Sequence, residues 1–474
     1  MTKKPTSKNK NYAKIVNSGS GAIAAHGSVA AGASGIAVGG NVKGNIVMGG
    51  VNISGSNISV RGDMVGRDKI YQPSNAIKTY EEDLSLSRSS KDQTGEIKAL
   101  TNLGNAHYIL GDLHRAVEFH EQALSIARNI GNKDSENIAL GNLGLAYSLI
   151  DPHRAIELYT QRLMVSHKLE NKMAERDALE SLGLAYIRLG DARKAADFFE
   201  EALKISRGNG DRLREGSALG NLGGTYVELG KLDQAIDLYN QSLSIARETG
   251  DRLGESQRLS NLGSTYAKLG EIRKAIEQFE QALAIAQEVG DRLGESTYIN
   301  HLASAYLLLN DIKKAVELYK EGLTIARDVG DFLSVSNHSF SLGLIFIDQG
   351  RWYDALHLFE ECLEIRRKDD DLNVRADAIY QIAYVHHLLR NLEKARTYYW
   401  DAKRLYEKTD NPKGIAACNL SLGRLMIRMG FVDDAIQELT VAGEIYRRLD
   451  DQSRINTTDE MMRLAKGIKE KQLA

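Results

Sequence analysis

Apolar residues along most of the chain recur three and four positions apart, and the whole arrangement returns about every forty residues. Its fixed points are Leu-Gly pairs or close substitutes: Leu103-Gly104, Leu143-Gly144, Leu182-Gly183, Leu222-Gly223, Leu262-Gly263, Leu302-Ala303, Leu342-Gly343, Ile382-Ala383 and Leu422-Gly423. Every step is forty except one of thirty-nine. Four residues after the Leu most copies carry a ring, as at Tyr147, Tyr186, Tyr226, Tyr266, Tyr306 and Phe346. A second marker is an Ala at 116, 155, 195, 235, 275, 315, 355, 395 and 435. Four positions later an aromatic recurs (Tyr159, Phe199, Tyr239, Phe279, Tyr319, Phe359, Tyr399), on the same helical face as that Ala. Each period therefore predicts two helices joined by a short turn.

The small residues have reasons. Gly inside a helix costs up to about 1 kcal/mol relative to Ala, so a Gly recurring after the Leu implies a contact too close for a larger side chain. Between periods the chain repeats "GDRLGES" at Gly250–Ser256 and Gly290–Ser296, with "GDRLREG" at Gly210–Gly216. The Gly suits a left-handed helix end, and the Asp suits the cap of the next helix. In the thirty-nine-residue step, "IDPHRA", Asp151 can cap a helix and Pro152 can take its first position. The chain has only four Pro residues, which fits long helices.

Nine copies of Leu-Gly, ring, Ala, ring resemble the tetratricopeptide repeat. The resemblance covers roughly residues 74–452 and implies a mainly α fold, a right-handed solenoid of helix-turn-helix units. The forty-residue form jointed by "GDR" is similar to the repeats of the Pins/LGN polarity adaptors, although the G-protein-binding motifs of those adaptors are not apparent. The expected organisation is a basic disordered tail (1–16), a Gly-rich β-coil (17–70), a linker with a half-repeat helix (71–90), nine repeat units (91–452) and a capping helix (453–474). The segment "AIKTYEEDLSLSR" from Ala76 aligns with "AIDLYNQSLSIAR" from Ala235, so a lone second helix starts the stack. The helix at the other end, which lacks the Leu-Gly mark, is expected to be the polar terminal helix that covers a solenoid's last apolar face.

In residues 17–70 the pattern changes. Thirteen Gly punctuate short Val/Ile segments, and no aromatic occurs between Tyr12 and Tyr71. Alternation in "GIAVGG", "VNISGS" and "NISVRG" predicts short strands, and a β-solenoid is one form they can take. "GSVAAGASGIAVGG" resembles the coil repeats of trimeric autotransporter adhesin heads. "GDMVGRDKI" is similar to stretches that precede helical or signalling modules in bacterial multidomain proteins. A single-chain coil of this length has little core, so the arm is expected to assemble into a homo-oligomer; disorder and surface attachment are the alternatives. The "RGD" at Arg61–Asp63 is read as a coincidence.

Charge sharpens this division. Residues 1–70 hold nine Lys/Arg against two acids, and the remainder holds 52 against 61. An acidic body does not grip phosphate backbones non-specifically, so no nucleic-acid partner is expected. No apolar run is long enough to span a membrane. Two cysteines within helical patterns, Cys362 and Cys418, offer no disulfide framework and fit a reducing, cytoplasmic setting.

Candidate chemistry is sparse. "HEQAL" at His120–Leu124 lacks the second His of a zinc protease, His386 and His387 point to different helix faces, and no phosphate-binding or nucleophile-elbow motif occurs. No catalytic residue, metal ligand or cofactor is assigned. The resemblance implies instead that the first helices line a concave groove that holds a protein or peptide. The residue before each Leu-Gly can hydrogen-bond, and Asn102, Asn142, Asn221 and Asn261 match the asparagine ladder of some family members. Asn carries both a donor and an acceptor and can satisfy an extended peptide backbone; tying neighbouring helices together is the competing role. Asn105, His301, Phe340, Tyr380 and Tyr384 complete the candidate groove, the last three giving it an aromatic stretch that extra packing between helices explains equally well. Arg212, Arg252 and Arg292 are read as solvated joint residues. The expected function is a non-enzymatic scaffold or adaptor multimerised by its arm, or alternatively a sensor or regulatory subunit of a bacterial signalling or defence system.

Overall fold

The computed structural model describes residues 46–48, 51–53, 73–366 and 371–473. The described chain divides into two compact units, one ending at Gly294 and the other beginning at Glu295. Within the first, α1 (Pro73–Ser90) precedes five hairpins: α2 (Gln93–Ile109) with α3 (Leu113–Asn129), α4 (Lys133–Ile150) with α5 (Pro152–Lys168), α6 (Lys172–Arg188) with α7 (Ala192–Gly208), α8 (Arg212–Glu228) with α9 (Leu232–Thr249), and α10 (Arg252–Lys268) with α11 (Ile272–Val289). The second comprises α12 (Arg292–Leu308), which starts at the boundary, α13 (Ile312–Val329), α14 (Phe332–Asp348), α15 (Trp352–Ile365), α16 (Leu372–Leu388), α17 (Leu392–Lys408), α18 (Pro412–Met429), α19 (Val432–Arg448) and α20 (Gln452–Leu473). The paired helices predicted from the forty-residue period are present.

The repeated Gly has the reason expected of it. A Cβ on Gly223 would come within 2.9 Å of the Tyr239 ring, and one on Gly183 within 2.7 Å of Phe199. The same contact recurs at Gly104 with His120, Gly144 with Tyr159, Gly263 with Phe279 and Gly343 with Phe359, whereas Gly423 meets Leu439, so in most hairpins the two markers of the period are one contact. Those rings are buried, as are Leu100, Leu140, Leu182, Leu219 and Leu259 along the first helices. Burying one such side chain contributes roughly 1.5–3 kcal/mol before entropy is counted.

The joints also behave as their residues dictate. Gly250 and Gly290 adopt φ of 70° and 72°, the left-handed region that lacks a steric penalty only for Gly. Asp251 then accepts a hydrogen bond from the Gly254 amide at 2.9 Å, and Asp291 one from Gly294 at 3.0 Å. Asp151 caps α5 through the amides of His153 and Arg154, with Pro152 in the first turn.

"GDRLGES" does more than turn the chain. Glu255 is nearly buried and is held by Arg247 at 2.8 Å and Arg252 at 2.5 Å. Burial pushes its carboxyl up, but the hydrogen bonds from both guanidinia outweigh this and leave it below the ordinary range. Arg252 also pairs with Glu288 at the end of α11. One unit earlier, Arg207 and Arg212 clamp Glu215, and Arg212 reaches Glu248 at 2.5 Å. Arg212 and Arg252 are thus committed to ion pairs within the protein and are not merely solvated.

At the end of the second unit, α20 is not polar all round. Ala465, Met461, Met462 and Ile468 pack with Leu439, Ala442 and Tyr446 of α19. In the Gly-rich segment the described residues are two three-residue strands, β1 (Ile46–Met48) and β2 (Val51–Ile53), paired antiparallel with Val47 opposite Asn52. They do not support a β-solenoid. The rest of that segment, and the tail before it, lie outside the described residues, as does the oligomerisation assigned to the arm.

Candidate functional site

Successive first helices approach one another within each unit, α2 with α4, α4 with α6 and α8 with α10 in one, α16 with α18 in the other. They therefore form an inner row, and their side chains decide what that row can bind.

In the first unit the asparagines fall into two groups. Asn142 is almost wholly buried and donates from Nδ2 to Asn105 Oδ1 at 3.2 Å, which ties α4 to α2. Its Oδ1 is enclosed without a hydrogen-bond partner. Asn102, Asn221 and Asn261 are half-buried, and Asn261 Nδ2 is likewise enclosed without a partner. Thr225 and Thr265 bond the backbone carbonyls of Asn221 and Asn261, leaving those amide heads to other uses.

Between these asparagines lies a charged cluster that the sequence pattern did not reveal. Arg162 occupies the slot that Ala123, Ala202 and Ala282 fill elsewhere, and it is 4% exposed. Its Nε bonds Asn137 at 3.3 Å, its Nη2 lies 3.9 Å from Asp177, and its Nη1 has no partner. Arg176 pairs with Asp177 and, at 3.0 Å, with Asp211. Burial raises the Glu180 carboxyl to about 7 despite the opposing charge of Arg176, and its Oε1 is enclosed without a partner. An Arg in a repeated small-residue slot was the only available signal.

In the second unit the inner row is more apolar. His301 is half-buried, and burial lowers its imidazole to about 4. Asn300 beside it keeps an enclosed Oδ1 without a partner. Phe340 meets Phe359 edge-on at 5.4 Å, and Tyr380 packs against Tyr399 at the same distance. The Tyr380 hydroxyl shares a 2.9 Å hydrogen bond with Ser421 of α18, while Tyr384 leaves 38% of its surface exposed. Phe340, Tyr380 and Tyr384 thus occupy first helices of one unit, as their spacing predicts.

The excluded chemistries can be checked against the coordinates. His120 fills a ring slot over Gly104, and burial lowers its imidazole to about 3. His386 stacks on Tyr398, and His387 meets Tyr399 edge-on. Ser296 and His338 approach to 3.1 Å, a serine–imidazole pair that sequence reasoning missed, but both are completely buried and no substrate can reach them. Cys362 lies 3.0 Å from Ser336, and burial raises both cysteine thiols. Among the described residues no group of three or more His, Cys, Asp or Glu is placed to hold a metal ion, and no helix is long and apolar enough to cross a membrane.

Comparison with known proteins agrees with the geometry. The tetratricopeptide repeat profile matches residues 75–164, 174–248, 253–328 and 334–408. The chain belongs to the tetratricopeptide repeat family. No curated protein matches it. Among solved structures, a signal transduction ATPase with numerous domains from Pyrococcus horikoshii, described as having a tetratricopeptide repeat sensor, is 18% identical. That match has a TM-score of 0.53 and covers 74% of this chain and 54% of the other. The chain therefore spans about half the length of that protein. Aspartyl phosphate phosphatase F from Bacillus subtilis is 14% identical with a TM-score of 0.48, covering 73% of this chain and 96% of its own. A Rap protein complexed with competence and sporulation factor is 16% identical with a TM-score of 0.46, covering 71% and 98%. At these identities the likeness concerns the fold alone.

Proposed function

We propose that this tetratricopeptide repeat protein is a non-enzymatic scaffold in a reducing, cytoplasmic compartment that takes a partner polypeptide along its first helices. The observation that carries this reading is the half-buried asparagines on α2, α8 and α10, Asn102, Asn221 and Asn261, the last two bonded by Thr225 and Thr265 through their backbone carbonyls and not their amide heads. An amide head carries both donor and acceptor, and each hydrogen bond it makes to a ligand's peptide group contributes about 0.5–1.5 kcal/mol. Asn105 completes the contact surface of the first unit, His301, Phe340, Tyr380 and Tyr384 supply that of the second, and residues 17–70 multimerise the chain, so that several grooves act with avidity.

The test is recovery of a partner on immobilised full-length protein, followed by titration of that purified partner against the paired Asn221→Ala and Asn261→Ala variant. At least a tenfold loss of affinity is expected, since removing two hydrogen-bonding amides costs more than about 1.4 kcal/mol. Unchanged affinity overturns the groove. Light scattering on the full chain and on a chain starting at Ser74 tests the arm, and equal monomeric masses overturn multimerisation. A sensor subunit of a bacterial signalling or defence system is the second reading. It is favoured by the description of the Pyrococcus horikoshii protein as carrying a repeat sensor.

A further inference from the structure

Within the second unit, α18 carries two arginines that, among the described residues, have nothing to pair with. Arg424 and Arg428 stand four residues apart on α18, so they share a helix face, where like charges repel. Arg424 is half-buried and Arg428 exposed. Among the described residues, neither guanidinium has a hydrogen bond or an ion pair. This contrasts with Arg212 and Arg252 in the joints, each held by two carboxylates. The two charges are felt by His387 of α16, whose imidazole is lowered to about 4 by burial first and then by Arg428 and Arg424.

The surroundings of this pair are aromatic. Tyr384 lies one turn before His387 and is partly exposed, and Tyr380, one turn earlier, is joined to Ser421, three residues before Arg424. A row of rings that ends in two uncompensated cations complements a segment with apolar and acidic side chains side by side. The arm of this chain is a poor match, because residues 1–70 carry nine basic residues against two acids.

We propose that Arg424 and Arg428, with Tyr384 and Tyr380, form a specificity subsite of the groove that selects a partner segment in which acidic side chains adjoin aromatic or aliphatic ones. The subsite rests on the groove reading above and adds the chemistry of the occupant. Guanidinium–carboxylate hydrogen bonds supply direction, and the rings supply area.

The test is selection of a random twelve-residue peptide library on the immobilised full-length protein, each peptide fused at its C-terminus to a carrier so that no terminal carboxylate is free. Enrichment of Asp or Glu beside aromatic or aliphatic residues is expected. Selected peptides should bind about tenfold more weakly to the Arg424→Gln, Arg428→Gln double variant, and should lose affinity as salt rises. The double variant removes a like-charge contact, so its thermal midpoint should not fall, which separates lost recognition from lost folding. Enriched peptides without acids, or peptides indifferent to the double substitution, overturn this subsite and leave the groove reading to the Asn221 and Asn261 variants. No enrichment at all overturns the subsite and counts against the groove as well.

Discussion

Asn419 illustrates at the scale of one residue what a departure from the repeat entails. It stands three positions before its Leu, where Leu100, Leu140, Leu219 and Leu259 stand in other copies, and it is 0% exposed. Neither atom of its amide head has a partner. Asn and Leu have nearly the same shape, so Asn419→Leu should restore the core and stabilise the protein by about 1–3 kcal/mol. A lower thermal midpoint for this variant would mean that the amide is satisfied in a way the packing does not reveal. The buried imidazoles make a second prediction, about pH. His120 is lowered by burial to about 3, and His338, His301 and His387 to about 4, from an ordinary value of 6.5. Below pH 6.5 the unfolded chain binds more protons than the folded one, so stability is lost as pH falls through this window. Glu180 acts in the opposite sense: its carboxyl, raised to about 7, is accommodated better as pH falls. Four imidazoles outweigh one carboxyl, and the urea midpoint should fall between pH 6.5 and pH 5. A single buried imidazole such as His120 accounts for roughly 2 kcal/mol of that loss. His120→Phe places in this slot the ring found at Phe199, Phe279 and Phe359 and should flatten the pH profile; an unchanged profile would remove His120 from the explanation.

At the scale of the element, legibility in the sequence followed how local each contact is. Helix caps and left-handed glycines involve neighbours in the chain, so "GDRLGES" announced them in advance. The Gly–ring contact joins residues fifteen or sixteen apart, yet it was legible because both partners recur in step. The ion pairs were not. Arg252 meets Glu255 three residues away but also Glu288 thirty-six residues away, a pairing that only the stacked hairpins create. Arg162 and the Glu180 cluster were hidden for a related reason: they occur once, and a periodic reading sees only what repeats. The same holds for the inner row, where the positions of Asn142 and Asn105 were legible but their mutual hydrogen bond was not. Glu255→Gln tests the joint. It leaves two guanidinia facing a neutral amide, and because both are partly exposed and screened, the loss should be about 1 kcal/mol in the denaturant midpoint. No loss would reduce the joint to its Gly and Asp.

For the whole molecule the consequence of serial hairpins is that stability is close to a sum of neighbours. Within each unit the hairpins pack on their neighbours in sequence, and among the described residues the longest reach is that of β2 to α2 and α4. The Gly-rich arm, which has neither the period nor the rings that made the helices legible, contributes only β1 and β2 to the described residues. Removing α20, by ending the chain at Asp451, should therefore have local effects. It uncovers Leu439, Ala442 and Tyr446, which α20 covers through Ala465, Met461 and Met462. Amide exchange in α18 and α19 should accelerate by about tenfold or more as that end frays, because losing even one well-packed apolar side chain contact exceeds about 1.4 kcal/mol. Exchange in α2 to α5 should stay as it is in the full chain. Uniform acceleration along all helices would show that the hairpins unfold as one cooperative body, and additive stacking would then be the wrong description of what holds this chain together.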